Sequence, residues 1–145
     1  VYTSEVTAEH LGLLEGVRAT AHLFQERVDK ALELRVVIIG RQVFAIEILS
    51  QNAEASSLDW RKSYKDLSYG VHQLPHELEM TLCQLVRLFG LQYASMDMIL
   101  TPQGEYVWLE CNPNGQYFWL QPQTGLPMAR AMAQLLVSPK EYGLW

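Results

Sequence analysis

Residues 92–115, QYASMDMILTPQGEYVWLECNPNG, constrain the chain more than any other stretch. Two runs of alternating character flank Pro102-Gln103-Gly104-Glu105, a turn signal in which glycine supplies the positive φ that hairpins need. A two-residue Gln103-Gly104 loop sets Asp97 opposite Glu110. Strand side chains alternate, so Asn112 shares their face. The other face carries Ala94, Met96, Met98 and Leu100 on one strand and Val107, Leu109 and Cys111 on its partner. One face seeks a core. The other opposes two carboxylates beside a carboxamide.

Opposed residues in an antiparallel pair have Cβ atoms roughly 4.5–5.5 Å apart, where like charges destabilise the pair. A divalent cation turns that repulsion into coordination. Mg²⁺ takes hard oxygen ligands, one or two carboxylates plus waters and phosphates, and Asp97, Glu110 and the Asn112 amide oxygen have that chemistry. The competing interpretation is a solvated polar face whose charges splay apart in water.

The 145 residues suffice for one domain with a core. At 49% hydrophobic and 19% charged, the composition is that of a globular domain rather than a disordered chain. The apolar run 36–39 is far too short to cross a bilayer, and a net charge of -5 disfavours a nucleic-acid surface. We expect no membrane and no nucleic-acid partner, and a cytoplasmic location, there being no signal-peptide pattern. Cys83 and Cys111 read as buried free thiols rather than a disulfide. The chain opens on valine in what reads as mid-strand, which suggests a piece of a longer protein.

Thr7 can cap a helix over residues 8–18, with Leu11, Leu14 and Val17 at helical spacing and Gly12 and Gly16 weakening it. Residues 23–28 read as a strand. Residues 33–39, ELRVVII, are a strong strand that turns at Gly40 and pairs back through residues 43–49. Arg35 stands among apolar residues and is a candidate anion ligand; pairing with Glu33 or Glu47 is the alternative. Residues 50–69 read as a long polar loop holding Asp59-Trp60-Arg61, and loops of that length are often lids or binding loops. A helix opens at Leu74-Pro75 and ends at Gly90 with Leu78, Leu82, Leu85, Val86 and Phe89 as its stripe; His72 and His76 beside it read as surface residues. After Asn112-Pro113-Asn114-Gly115, a last helix spans residues 128–137 with Met128, Met132, Leu135 and Leu136 inward. The sum is an α+β fold, an antiparallel sheet with helices packed on one side.

The sequence resembles the C-terminal half of the ATP-grasp ligases, and most closely the ribosomal-peptide maturases that make microviridin-type graspetides. The likeness rests on Phe24-Gln25-Glu26-Arg27-Val28, Glu33-Leu34-Arg35-Val36, the strand from Asp97 to Pro102 with Gly104-Glu105-Tyr106, and above all Leu109-Glu110-Cys111-Asn112-Pro113-Asn114-Gly115-Gln116. It implies one partial ATP-grasp domain over residues 1–145, with a hinge strand and first hairpin (1–50), a loop (51–74) and a metal-bearing subdomain (75–145). Residue by residue, it places Glu26, Arg27 and Val28 at the adenine, Glu33 at the ribose, Mg²⁺ (or Mn²⁺) on Asp97, Glu110 and Asn112, and the catalytic arginines Arg35 and Arg61 at the phosphates.

The resemblance implies ATP as cosubstrate and an acyl-phosphate formed on a side-chain carboxylate. A hydroxyl or amine of a ribosomal precursor peptide then attacks it, giving an ester or amide cross-link. It also implies a preceding ATP-grasp portion as partner, without which the chain is expected to be inactive. Apolar surface near Leu23 and Phe24 invites self-association, such as a homodimer. The other readings are an ATP-grasp ligase acting on a protein tail or small molecule, as amino-acid ligases and glutathione synthetases do, and a non-catalytic binding module.

Overall fold

The structure, a computed structural model, describes residues 3–49 and 67–145. Its centre is a five-stranded sheet built from β1 (Leu32–Ile39), β2 (Gln42–Leu49), β3 (Ser68–His72), β4 (Tyr93–Leu100) and β5 (Tyr106–Asn112). The order is β3-β2-β1-β4-β5, and every neighbouring pair runs antiparallel. β1 is the middle strand. Its sequence LELRVVII is buried along nearly its whole length, as a strand covered on both faces must be.

Helices therefore cover both faces of the sheet, not one. Leu34, Val36 and Ile38 pack with Leu82 and Val86 of α1 (His76–Leu88). Val37 and Ile39 point the other way and pack with Met128, Ala131 and Leu135 of α3 (Met128–Val137). The expectation of helices on one side treated the sheet as half-solvated, which the apolar run 36–39 of β1, buried on both faces, does not allow. Between β5 and α3 lie a 3₁₀ turn (Phe118–Leu120) and the short α2 (Gln121–Thr124); α4 (Pro139–Tyr142) follows α3.

Turn chemistry fixes the strand ends. Gly40 opens a two-residue β1–β2 turn at φ 54, and a Cβ there would lie 2.0 Å from the Tyr142 carbonyl oxygen. The same turn receives the C-terminal residues, since Arg41 N–H donates to Tyr142 O at 2.9 Å and Arg41 Nε–H to Gly143 O at 2.9 Å.

Several expectations change. The helix expected over residues 8–18 with Thr7 as its cap is present, in the 3₁₀ form, and none of its residues is buried. Residues 23–28 lie outside any strand; Leu23 is 88% exposed and Phe24 57%. Their apolar residues suggested a strand, but none of the five strands pairs with them. Residues 68–72, placed in the loop 51–74, form β3 instead. Leu136 faces outward, and Ala131 is buried with Met128 and Leu135 instead. Both cysteines are free, as expected, but half-buried rather than buried. Among the described residues no helix is long and apolar enough to cross a membrane.

Because Ile38 is fully buried and Leu136 is exposed, their truncations should differ sharply. Ile38→Ala should lower the unfolding free energy by about 2–5 kcal/mol, and Leu136→Ala by no more than about 0.5 kcal/mol, in urea denaturation.

Candidate nucleotide and metal site

The hairpin β4–β5 does set Asp97 opposite Glu110, by a different route from the one its sequence suggests. The loop has three residues, Pro102, Gln103 and Gly104. It closes through Thr101 N–H donating to Glu105 O at 2.9 Å, with Gly104 at φ 85. That extra residue shifts the register, so Leu100 meets Tyr106 and Met98 meets Trp108. A bulge between Met98 and Asp97 absorbs Leu109 and shifts it back. The consequence is local. Val107 opposes Ile99 rather than sharing the face of Met96 and Met98, while Cys111 stays opposite Met96.

The β1–β4 ladder brings Arg35 opposite Asp97. Arg35 Nε lies 2.9 Å from Asp97 Oδ1, with the two side chains 10% and 19% exposed, and Arg35 Nη1 donates to Ser95 Oγ at 2.9 Å. Glu33 is buried on the same face two residues back and is ion-paired with Lys30. Its neighbourhood is thus ionic, a feature the ribose reading did not include. Ser95 and Lys30 were both legible by spacing, one two residues before Asp97 and the other three before Glu33, but neither carries a signature of its own.

Charge is concentrated here. Burial pushes the Asp97 carboxyl up to about 6; Arg35 opposes this, and Glu110 and Glu33 add to it. The Arg35 pairing alone would hold the carboxylate ionised. Desolvation and two neighbouring carboxylates outweigh one guanidinium.

Asn112 lies opposite Ser95, on the face of Asp97 and Glu110. Its Oδ1 accepts the Asn114 N–H at 2.9 Å, which folds Pro113-Asn114 into an Asx turn and keeps the amide oxygen presented at the strand end. Gly115 is obligatory for packing, because a Cβ there would lie 2.5 Å from Ser95 Cβ. Tyr93 hydroxyl donates to the Gly115 carbonyl, and burial together with Tyr117 raises its pKa to about 12, so it stays a donor at any working pH.

The donor set suits a hard divalent ion: two opposed carboxylates, one with its pKa raised by burial and further by the other, and an amide oxygen within two residues. All three donors are oxygens, the kind Mg²⁺ takes, without the Cys and His that zinc prefers; among the described residues no group of three His, Cys, Asp or Glu is placed to hold a metal. Arg61, Asp59 and Trp60 lie outside the described residues. Glu26 and Arg27 are exposed and Val28 is half-buried; Arg27 pairs with Glu5 at 3.0 Å.

The all-antiparallel sheet of this α+β fold thus lays a carboxylate pair, a buried arginine and an Asn-Pro-Asn-Gly strand end along one face. The fold is that of the ATP-grasp ligases, and the chain corresponds to their C-terminal part. A RiPP-associated ATP-grasp ligase of Chryseobacterium gregarium, solved with ADP and a leader and core peptide, superposes with a TM-score of 0.88. It is 32% identical over 96% of this chain and 43% of its own. The macrocyclase MdnC of Microcystis aeruginosa MRC, solved with the precursor peptide MdnA, gives 0.80 at 42% identity, over 96% of this chain and 43% of its own. PsnB, solved with a precursor variant, Mg and ADP, gives 0.79 at 21% identity, over 95% of this chain and 43% of its own, and shares the fold. The chain thus spans less than half the length of these ligases. No family model and no curated protein matches the sequence.

The raised Asp97 pKa has a definite sign. The stability it confers by holding a proton is complete below about pH 3.8, the ordinary value, and is lost as pH rises through about 6. In metal-free buffer the melting temperature of the wild type should therefore fall relative to Asp97→Asn as pH rises across that window. Parallel curves would show that Asp97 ionises without resistance.

Proposed function

We propose that this chain is the metal-bearing, C-terminal catalytic portion of an ATP-dependent ligase that cross-links a ribosomally made precursor peptide in the cytoplasm. The carrying observation is the facing pair Asp97–Glu110 with Arg35 bonded behind it, on a sheet superposing at 0.80 or better on two ligases solved with leader, core or precursor peptides.

Asp97, Glu110 and Asn112 hold Mg²⁺, which supplies neutralisation of the phosphate oxygens and orientation of the triphosphate. Arg35 stands fixed between Ser95 and Asp97 and directs positive charge along the same face. A carboxylate is a poor electrophile. Transfer of the γ-phosphoryl group from ATP to a peptide Asp or Glu oxygen releases ADP and leaves an acyl-phosphate. A Ser/Thr hydroxyl or Lys amine of the same peptide then attacks the carbonyl, expels phosphate and loses its proton, giving a macrolactone or macrolactam. Such chemistry is mostly positioning and charge stabilisation. Arg61, from the segment after β2, completes the cationic side, while Glu26, Arg27 and Val28 meet the adenine and Glu33 the ribose.

The chain's length, under half that of the ligases it matches, supports a half-site: it should bind Mg-ATP weakly in calorimetry and turn none over alone. In the complete ligase, Asp97→Asn should lower the rate of water loss from precursor peptide, followed by mass spectrometry, by about a hundredfold or more. Near-normal turnover by that variant would overturn the metal assignment.

A further inference from the structure

On the α1 side of the sheet, away from Arg35 and Asp97, three polar side chains meet that the ligase chemistry leaves unused. His72, the last residue of β3, lies with Nδ1 2.7 Å from Glu47 Oε1, and its Nε2 is 2.9 Å from the Tyr106 hydroxyl. The two rings stand edge to face, with centroids 5.9 Å apart. Register puts all three on one face. Glu47 opposes Leu34, His72 opposes Ala45 and Tyr106 opposes Leu100, and these apolar partners belong to or pack against the α1-side core. His72 is therefore not the surface histidine its sequence suggested; its side chain is 12% exposed.

The contact is informative because β3 and β5 are the two edges of the sheet. In a flat sheet they would be four strand spacings apart, about 19 Å. His and Tyr side chains cannot span that, so the sheet curls toward α1 and the pair closes it. A neutral imidazole that gives its Nδ1 proton to Glu47 presents Nε2 as acceptor for the Tyr106 hydroxyl, so the carboxylate selects the tautomer that can receive the phenol.

β5 needs such a tie. It is an edge strand, bonded on one side only, and its ladder to β4 is interrupted by the bulge just before Glu110. The direction in which the strand enters the bulge sets where Glu110 and Asn112 emerge, and Tyr106 is the first residue of that entry. We propose that Glu47, His72 and Tyr106 form a clasp across the sheet that positions the edge strand bearing Glu110 and Asn112 against Asp97. All three are positioning residues, acting through the backbone of β5. The proposal rests on the ligase reading only in naming a divalent cation as what Glu110 and Asn112 then hold.

The test uses Tyr106→Phe, which removes one oxygen, with His72→Phe and the double variant. Hydrogen exchange is measured amide by amide, and Mn²⁺ affinity by paramagnetic resonance of the free ion. The clasp requires faster exchange confined to β5, with β1 and α1 unchanged. It also requires about tenfold weaker Mn²⁺ binding, the lower end for an outer-shell partner. The double variant should be no worse than His72→Phe, since that substitution already removes the His72–Tyr106 link that Tyr106→Phe breaks. Unchanged exchange in β5, or exchange raised uniformly through the sheet, would overturn it. Should the wild type itself bind no Mn²⁺, the metal assignment fails, and the exchange pattern alone still decides the clasp.

Discussion

A strand bonded on both edges and covered on both faces leaves its side chains no water, and β1 is such a strand. Every apolar position in it is committed to one of the two helical layers. Charge can enter only where neighbouring strands answer it, and Glu33 and Arg35 are the two places. Arg35 is answered on β4 by Asp97 and Ser95, Glu33 by Lys30 just outside the strand. A buried guanidinium without partners would cost several kcal/mol. The ion pair is therefore the condition on which the central strand can carry a cation into the sheet, and the candidate site is built outward from it.

That construction explains why Asp97 is poised rather than settled. One guanidinium supports its ionised form, while burial, Glu110 and Glu33 resist it. The net repulsion is held in place by β1, β4 and β5 together, and the rigid layers behind them keep it from relaxing. A divalent ion bound there, as proposed, would relieve it. The Asx turn at Asn112 and the side-chain-free approach of Gly115 to Ser95 shape the end of β5 where the amide oxygen sits.

Much of this was legible in the residues. The facing carboxylates, the β1–β2 hairpin, α1 and α3 all follow from alternation, helical spacing and turn chemistry, which act over a few residues. What failed depended on distant partners. Residues 23–28 carry strand-forming side chains, but a strand is made by its neighbour, and no described strand lies against them. His72 looked solvated because its partners are 25 and 34 residues away in sequence. The second helical layer was hidden for a related reason: burial on both faces is encoded in β1 as an absence of alternation, which a helix-by-helix reading does not weigh.

The β4–β5 hairpin contains two departures from a regular ladder, the extra loop residue before Tyr106 and the bulged Leu109, and each alone would turn the strand over. Together they restore parity. Strand faces obey a rule of even and odd, so the three-residue loop without the bulge would set Leu109 opposite Asp97 and turn Glu110 to the apolar layer opposite Met96, and the bulge without that loop would bring Cys111 to Asp97. The loop tip and the bulge thus act as one device: this sequence keeps its carboxylates facing only when both form.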